Sequence, residues 1–317
     1  MIILVLLAIG AGAGIYVAWN WNKAGNPTPV TTRTTQPATR SVIRLGLVPE
    51  HDPFVLRQSY RGLQDYLSQR LGQPVELATL NTYEAVLLDF QEHQIEGAFL
   101  GSLVGLLAID RFDARVIVKP ELEDRVSTYR GVIFTRENSS IQSLDDLRGK
   151  PLAMLRATTA GSLFPIAELA KRGMLEGAMP VKIIWMGTHD QVIAAVMSGR
   201  AEAGAVKDLR LNAFLQANPQ TRVRQLAISK PVPNNALVMR ADVANGLGTR
   251  LAELLKAMDQ DPQGQAALQM LGARRFIPCQ PEEFNPISEM AASLGSAWKW
   301  VGVNGEPPKR AQTPVGQ

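Results

Sequence analysis

From Val42 onward the chain alternates short apolar runs, which read as buried strands, with longer stretches whose apolar residues recur at helical spacing. Val42 to Val48 reads as a strand, Leu56 to Arg70 as an amphipathic helix, Val75 to Leu80 as a strand, Thr82 to Glu92 as a helix and Ile95 to Leu100 as a strand. A short helix over Ser102 to Arg111 and strands over Arg115 to Val118 and Arg130 to Thr135 complete a first half. The second half repeats the scheme. Leu144 to Leu147 makes a turn of helix, followed by strand 151–155, helix 161–172, strand Val181 to Met186, helix His189 to Ser198 and strand Ala203 to Val206. This order predicts an α/β fold with mainly parallel sheets covered on both faces. Two units of about 100 residues each predict two lobes.

An internal echo supports the division. The stretch from Leu88 to Phe99 and the stretch from Ala195 to Val206 each run from a helix end through a polar turn and an acidic residue into a small-residue strand. Their exits, Gly101-Ser102 and Lys207-Asp208, would face each other across a cleft, and the carboxyl ends of parallel strands are where α/β proteins bind ligands. Gly97 and Gly204 in these strands are read as room for close packing rather than as chemistry.

The pattern breaks at both ends. Ile2 to Ala18 carries no charge and is followed by Trp19 and Trp21, as in a segment that just spans a bilayer or forms the apolar part of an export signal. The nearest cation, Lys23, lies on the side that the positive-inside rule would keep in the cytoplasm, yet export is favoured because a polar Thr/Pro/Gly tether follows as far as Arg40. The expected organisation is therefore an anchor or signal over 1–22, a linker over 23–41, a first lobe over 42–129 with 232–300, a second lobe over 130–231, and a disordered tail over 301–317.

Composition narrows the function. A hydrophobic share of 46%, a charged share of 20% and a net charge of +4 suit a folded protein, and the scattered basic residues argue against nucleic acid. The single cysteine, Cys279, excludes an internal disulfide, and three histidines without paired spacing argue against zinc. No cofactor motif is present: there is no nucleophile elbow, no P-loop and no metal-ligand cluster, so an enzyme is not expected.

The chemistry concentrates in Leu155-Arg156-Ala157-Thr158-Thr159-Ala160-Gly161-Ser162, where a strand ends and a helix begins. Thr158 and Thr159 sit where the unpaired N–H groups and positive pole of a helix attract an anion, with Arg156 adding charge. The competing reading is that these hydroxyls only cap their own helix and that Arg156 is a solvated loop residue. Asp190 and Asp208 could accept a proton-bearing ligand oxygen, or Asp190 could serve the dipole of its own helix.

Several ordered stretches carry a resemblance: Leu47-Val48-Pro49 with Asp52-Pro53, Tyr66-Leu67 through Leu71-Gly72-Gln73-Pro74-Val75, and Ile95 to Gly101. Ser143 to Lys150, Thr158 to Gly161, Gly187-Thr188-His189-Asp190 and Phe284-Asn285-Pro286-Ile287 continue it. From about Ser41 to Ser293 the chain resembles the PhnD-like phosphate, phosphite and phosphonate substrate-binding proteins of ABC transporters. The resemblance implies a two-lobed type II periplasmic-binding-protein fold with a ligand cleft between the lobes. It also implies a non-enzymatic receptor that captures a small tetrahedral oxyanion and delivers it to an ABC permease or other inner-membrane protein; the apolar segment, through residues 2–19, is expected to export it and tether it to the membrane. A membrane-tethered sensor with a repurposed site is the alternative.

That resemblance implies Tyr83, Thr158, Thr159, Ala160, His189 and Asp190 as ligand residues, and the strand exits and local charge add Ser102, Arg156, Lys207 and Asp208 as candidates. Two departures stand out. Ala160 replaces a hydroxyl of the family's Ser-Thr-Ser-Gly turn, and Val104-Gly105 follow Ser102 where the family often has a tyrosine.

Overall fold

The computed structural model describes residues 41–48, 53–80, 82 and 85–308. The strands are β1 (Ile43–Leu47), β2 (Val75–Thr79), β3 (Gly97–Leu100), β4 (Arg115–Leu122), β5 (Thr128–Tyr129), β6 (Gly131–Arg136), β7 (Pro151–Leu155), β8 (Lys182–Met186), β9 (Ala203–Lys207), β10 (Val223–Ile228), β11 (Val232–Pro233), β12 (Ala236–Met239) and β13 (Ala273–Pro278). The helices are α1 (Pro53–Leu71), α2 (Ala85–Gln91), α3 (Ser102–Phe112), α4 (Phe164–Lys171), α5 (His189–Met197), α6 (Asp208–Ala217), α7 (Ala241–Val243), α8 (Thr249–Lys256), α9 (Pro262–Leu271) and α10 (Asn285–Ala292). Apart from β5, the strands and helices as far as β9 fall where the periodicity predicts them; beyond Val206, where α6, β10–β13 and α7–α10 lie, it makes no prediction.

Two sheets result. One has the order β13-β4-β12-β3-β1-β2 and the other β10-β6-β9-β7-β8. The sheets are mixed rather than mainly parallel. β1 pairs in parallel with β2 and β3, and β7 with β8 and β9, but β12 enters antiparallel between β3 and β4, and β6 antiparallel between β9 and β10. The reason is connectivity: β6 and β12 are the first strands reached after the chain crosses between sheets, so they run against the βαβ strands already in place. Both crossings pass through a two-stranded ribbon in which β5 and β11 are antiparallel, with Tyr129 opposite Val232 and Thr128 opposite Pro233.

Local chemistry sets the helix ends. Asp261 caps α9 by accepting from the Gly264 N–H at 2.8 Å, Pro262 opens the helix, and Gly272 closes it with φ of 65°. Thr188 caps α5 through the Gln191 N–H.

The first sheet buries Leu45, Leu47, Phe99 and Phe276 against α1, α8 and α9. Its other face belongs to an apolar core that reaches the second sheet, because α3 and α10 pack against the turn at 159–163 and α10 also packs against α4. Burial of this kind contributes about 25 cal/mol per Å² of apolar surface and is the main reason the helices hold their positions.

The fold extends beyond the expected boundary at 301. Val301 and Val303 are buried, the Val301 carbonyl accepts from the Ala157 N–H, the Gly305 carbonyl accepts from the Trp298 indole, and the Glu306 carbonyl accepts from Arg111. The Pro/Gly composition that predicts a loose tail is accommodated by hydrogen bonds from other elements to its carbonyls. No helix among the described residues is long and apolar enough to cross a membrane. The anchor expected over 1–22 and most of the linker expected over 23–41 lie outside the described residues.

Candidate functional site

The exits of β3 and β9 meet, as the internal echo predicts. Lys207 ends β9 and is 4% exposed; its Nζ donates to Asn235 Oδ1 at 2.9 Å and lies 4.5 Å from the centroid of the Tyr129 ring. Ser102 opens α3 and is also buried. Its one hydroxyl proton goes to the Pro233 carbonyl at 2.7 Å, so its oxygen accepts from the Tyr129 phenol at 3.0 Å. Ser102, Tyr129, Lys207 and Asn235 thus form one buried polar cluster that ties both strand exits to the crossing ribbon.

Burying an ammonium is costly unless its environment compensates. Here an amide oxygen and an aromatic face do so, and a ring beneath a cation contributes about 0.5–2 kcal/mol. Lys207 and Asn235 lie on the floor of a cavity of about 390 Å³, which has Tyr60, Phe99 and Phe276 on the first-sheet side and Arg210 on α6 on the other. Two cations, Lys207 and Arg210, and one acid, Asp124, line it, giving a positive bias suited to an anion.

The Thr158-Thr159 turn is placed differently. Thr158 Oγ1 accepts from the Gly161 N–H at 3.0 Å, and Ser162 Oγ bonds both the N–H and the carbonyl of Thr158. The capping reading therefore describes Thr158. Thr159 Oγ1 is buried and has no hydrogen-bond partner among the described residues. Thr158, Thr159 and Ala160 are all buried, covered by α3 and α10, and do not line the 390 Å³ cavity.

The remaining candidates divide. Arg156 is exposed and stacks 4.4 Å above the Trp185 ring, with Gly302 packed along its stem. His189 is fully buried in the first turn of α5. Asp190 is exposed and, with Arg210 and Phe214, lines a separate groove between α5 and α6. Asp208 Oδ1 accepts from the backbone N–H groups of Arg130 and Leu209, at 3.0 and 2.7 Å. Tyr83 lies outside the described residues. Ser102 and Lys207 are the expected residues that the structure brings together, and Ala160 lies next to Gly131, the strand partner of Lys207.

Tyr129, Asn235, Tyr60 and Arg210 have no counterpart among the residues expected from the sequence. Tyr129 belongs to ribbon strand β5 and Asn235 follows ribbon strand β11, where two-residue pairing leaves no periodicity to read. The sequence signal available was the polar Asn234-Asn235 pair between Pro233 and an apolar strand.

Residues 45–284 match the family model described as the periplasmic substrate-binding protein of phosphonate ABC transporters. The chain belongs to this family. It is 24% identical over 269 residues to a probable ABC transporter phosphite binding protein, PhnD1, of Prochlorococcus marinus, covering 80% of this chain and 90% of that protein. The solved structure of PhnD1 from the same organism in complex with methylphosphonate superimposes with a TM-score of 0.68 at 22% identity, covering 80% of this chain and 98% of that one. A binding-protein component of an ABC phosphonate transporter from Pseudomonas aeruginosa gives a TM-score of 0.71 at 16% identity, covering 79% and 85%. The two-lobed type II binding-protein fold is therefore the fold of this chain, its family is periplasmic, and the family works as the binding component of a transporter.

Proposed function

We propose that this protein captures a small phosphorus oxyanion, phosphonate, phosphite or phosphate, in the cavity floored by Lys207 and Asn235, and hands it to an ABC permease. The observation that carries the reading is a buried lysine at the junction of the two sheets, its Nζ held by the Asn235 amide oxygen and the face of the Tyr129 ring. An anion above Lys207 gains a charge-assisted hydrogen bond, worth about 1.5–3 kcal/mol. Thr159 is the second donor in this reading, since an enclosed hydroxyl without a partner among the described residues is one that a ligand can satisfy. Reaching it requires α3 and α10 to move off the 159–163 turn, so capture couples to a shift between open and closed populations.

The test is titration calorimetry on the full chain with methylphosphonate, phosphite and phosphate. Lys207→Met keeps the length of the side chain and removes the charge. Its expected effect is a loss of affinity between about tenfold and a hundredfold, and unchanged affinity would sink the assignment. Residues 2–19 serve, in the same proposal, to hold the receptor at the inner membrane; recovery of the full chain only in the soluble fraction would refute that.

A further inference from the structure

The cavity wall contributed by the first sheet has a chemistry that a bare phosphate or phosphite does not use. Tyr60, on α1, is half-buried and lines the cavity. Its ring lies 5.8 Å from that of Phe99, which lies 6.1 Å from that of Phe276, both pairs tilted. These separations fall in the favourable range for edge-to-face aromatic contact. The row of rings is thus a supported surface with Tyr60 at its accessible end. Phe99 and Phe276 are 2% and 4% exposed, so they fix the Tyr60 ring rather than offer much area themselves.

Size points the same way. A cavity of about 390 Å³ holds roughly a dozen waters at about 30 Å³ each. An oxyanion of a few heavy atoms seated at Lys207 would leave more than half of that space, including the Tyr60 face, filled with water against apolar surface. Releasing that water requires a ligand with an apolar portion.

Resting on the proposed oxyanion function, we infer that the ligand of this cleft is an organic oxyanion: a phosphonate or phosphomonoester carrying a flat, unsaturated group. The phosphorus end lies toward Lys207 and Arg210, and the flat group lies against Tyr60. Asp124 on the same cavity disfavours a second anionic substituent and suits a hydrogen-bond donor on the organic part.

Calorimetry on the full chain with phenylphosphonate, methylphosphonate and inorganic phosphate tests this, using the natural protein and Tyr60→Leu, which keeps apolar packing against Phe99 while removing the ring. Phenylphosphonate is expected to bind at least tenfold more tightly than methylphosphonate. In Tyr60→Leu that ratio is expected to fall toward one. Equal or tighter binding of methylphosphonate by the natural protein overturns the inference and leaves oxyanion capture standing. Retention of the full ratio in Tyr60→Leu overturns the placement of the flat group on Tyr60. Binding of none of the three anions overturns the proposed function and this inference with it.

Discussion

Thr158 and Thr159 are neighbours of identical chemistry, and the structure predicts opposite consequences for replacing them with valine, which has the same shape but no hydroxyl. Thr158 is the N-cap of the helix that begins at Thr159, with extended backbone angles of −125° and 149° that valine also adopts comfortably. Thr158→Val removes the acceptor for the Gly161 N–H, and the surrounding turn is buried, so water cannot replace it. Losing a cap costs about 1 kcal/mol, and an orphaned buried donor costs about 1–3. These describe overlapping parts of one loss, so about 2 kcal/mol is expected, lowering Tm by roughly 4–8 °C in a chain of this size. Thr159→Val deletes a buried hydroxyl that has no partner among the described residues, so its expected effect lies between no change and a gain of about 1 kcal/mol. Thermal and urea unfolding of both variants without ligand decide the matter. A loss in Thr159→Val as large as that in Thr158→Val would refute the reasoning, because it would mean that Thr159 Oγ1 is satisfied within the folded protein.

Three further outcomes follow from other parts of the fold. Gly264→Ala would place a methyl 2.1 Å from the Met258 carbonyl oxygen, backbone that cannot step aside, and should cost about 3 kcal/mol in urea unfolding; Gly246→Ala, with nothing within 4 Å, should instead be neutral or gain about 0.5–1 kcal/mol. Stability should fall in acid. The Asp146 carboxyl is held below its usual value first by the Gln142 N–H and then by Ser143, and that of Asp261 first by the Gly264 N–H, with Arg70 adding to it. Both stabilise fully above the unfolded carboxylate pKa of about 3.9 and lose that contribution as pH drops through their lower folded values, so Asp146→Asn should flatten the profile of Tm against pH below about 4. Cys279 is 3% exposed and burial pushes its thiol up to about 12, so a thiol reagent at pH 8 should label it only after unfolding; rapid labelling of the native protein would contradict its placement.

Much of the fold was legible in the sequence because strand and helix periods differ and most elements are long enough to show one of them. Gly204 illustrates how far a single residue can be read. A Cβ there would meet Val192 and Val196 of α5 at 2.7 and 2.8 Å, which is the close helix-on-sheet approach expected of it. Gly97 makes its close approach elsewhere, against the Val238 carbonyl and Met239 of the neighbouring strand, a partner 141 positions away that periodicity cannot supply. The antiparallel entry of β6 and β12 was hidden for a related reason. Direction within a sheet depends on where the chain crosses, and each strand of the crossing ribbon is two residues long.

The same limit governs the candidate site. Its second-sheet turn, from Thr158 to Gly161, announces itself because hydroxyl residues at a strand-to-helix junction are a local pattern, but local pattern does not say which face of the turn stays accessible. That is decided by α3 and α10, which cover it from the other side. Conversely, Lys207 had no strong local signal, and its meaning comes from Tyr129 and Asn235, 78 residues before it and 28 after it in the chain, which convert a strand-end lysine into a buried cation at a cavity floor. Ser102 is fixed by the same crossing segments through Tyr129 and Pro233. Under the proposed function, a ligand drawn to Lys207 would sit beside the crossing ribbon that joins the two sheets, and the same ribbon holds the start of α3 through Ser102. On that proposal, charge at the floor and concealment of Thr159 are two parts of one arrangement: the anion would be drawn beside the crossing segments, and the enclosed hydroxyl would become available only as α3 and α10 move off the 159–163 turn.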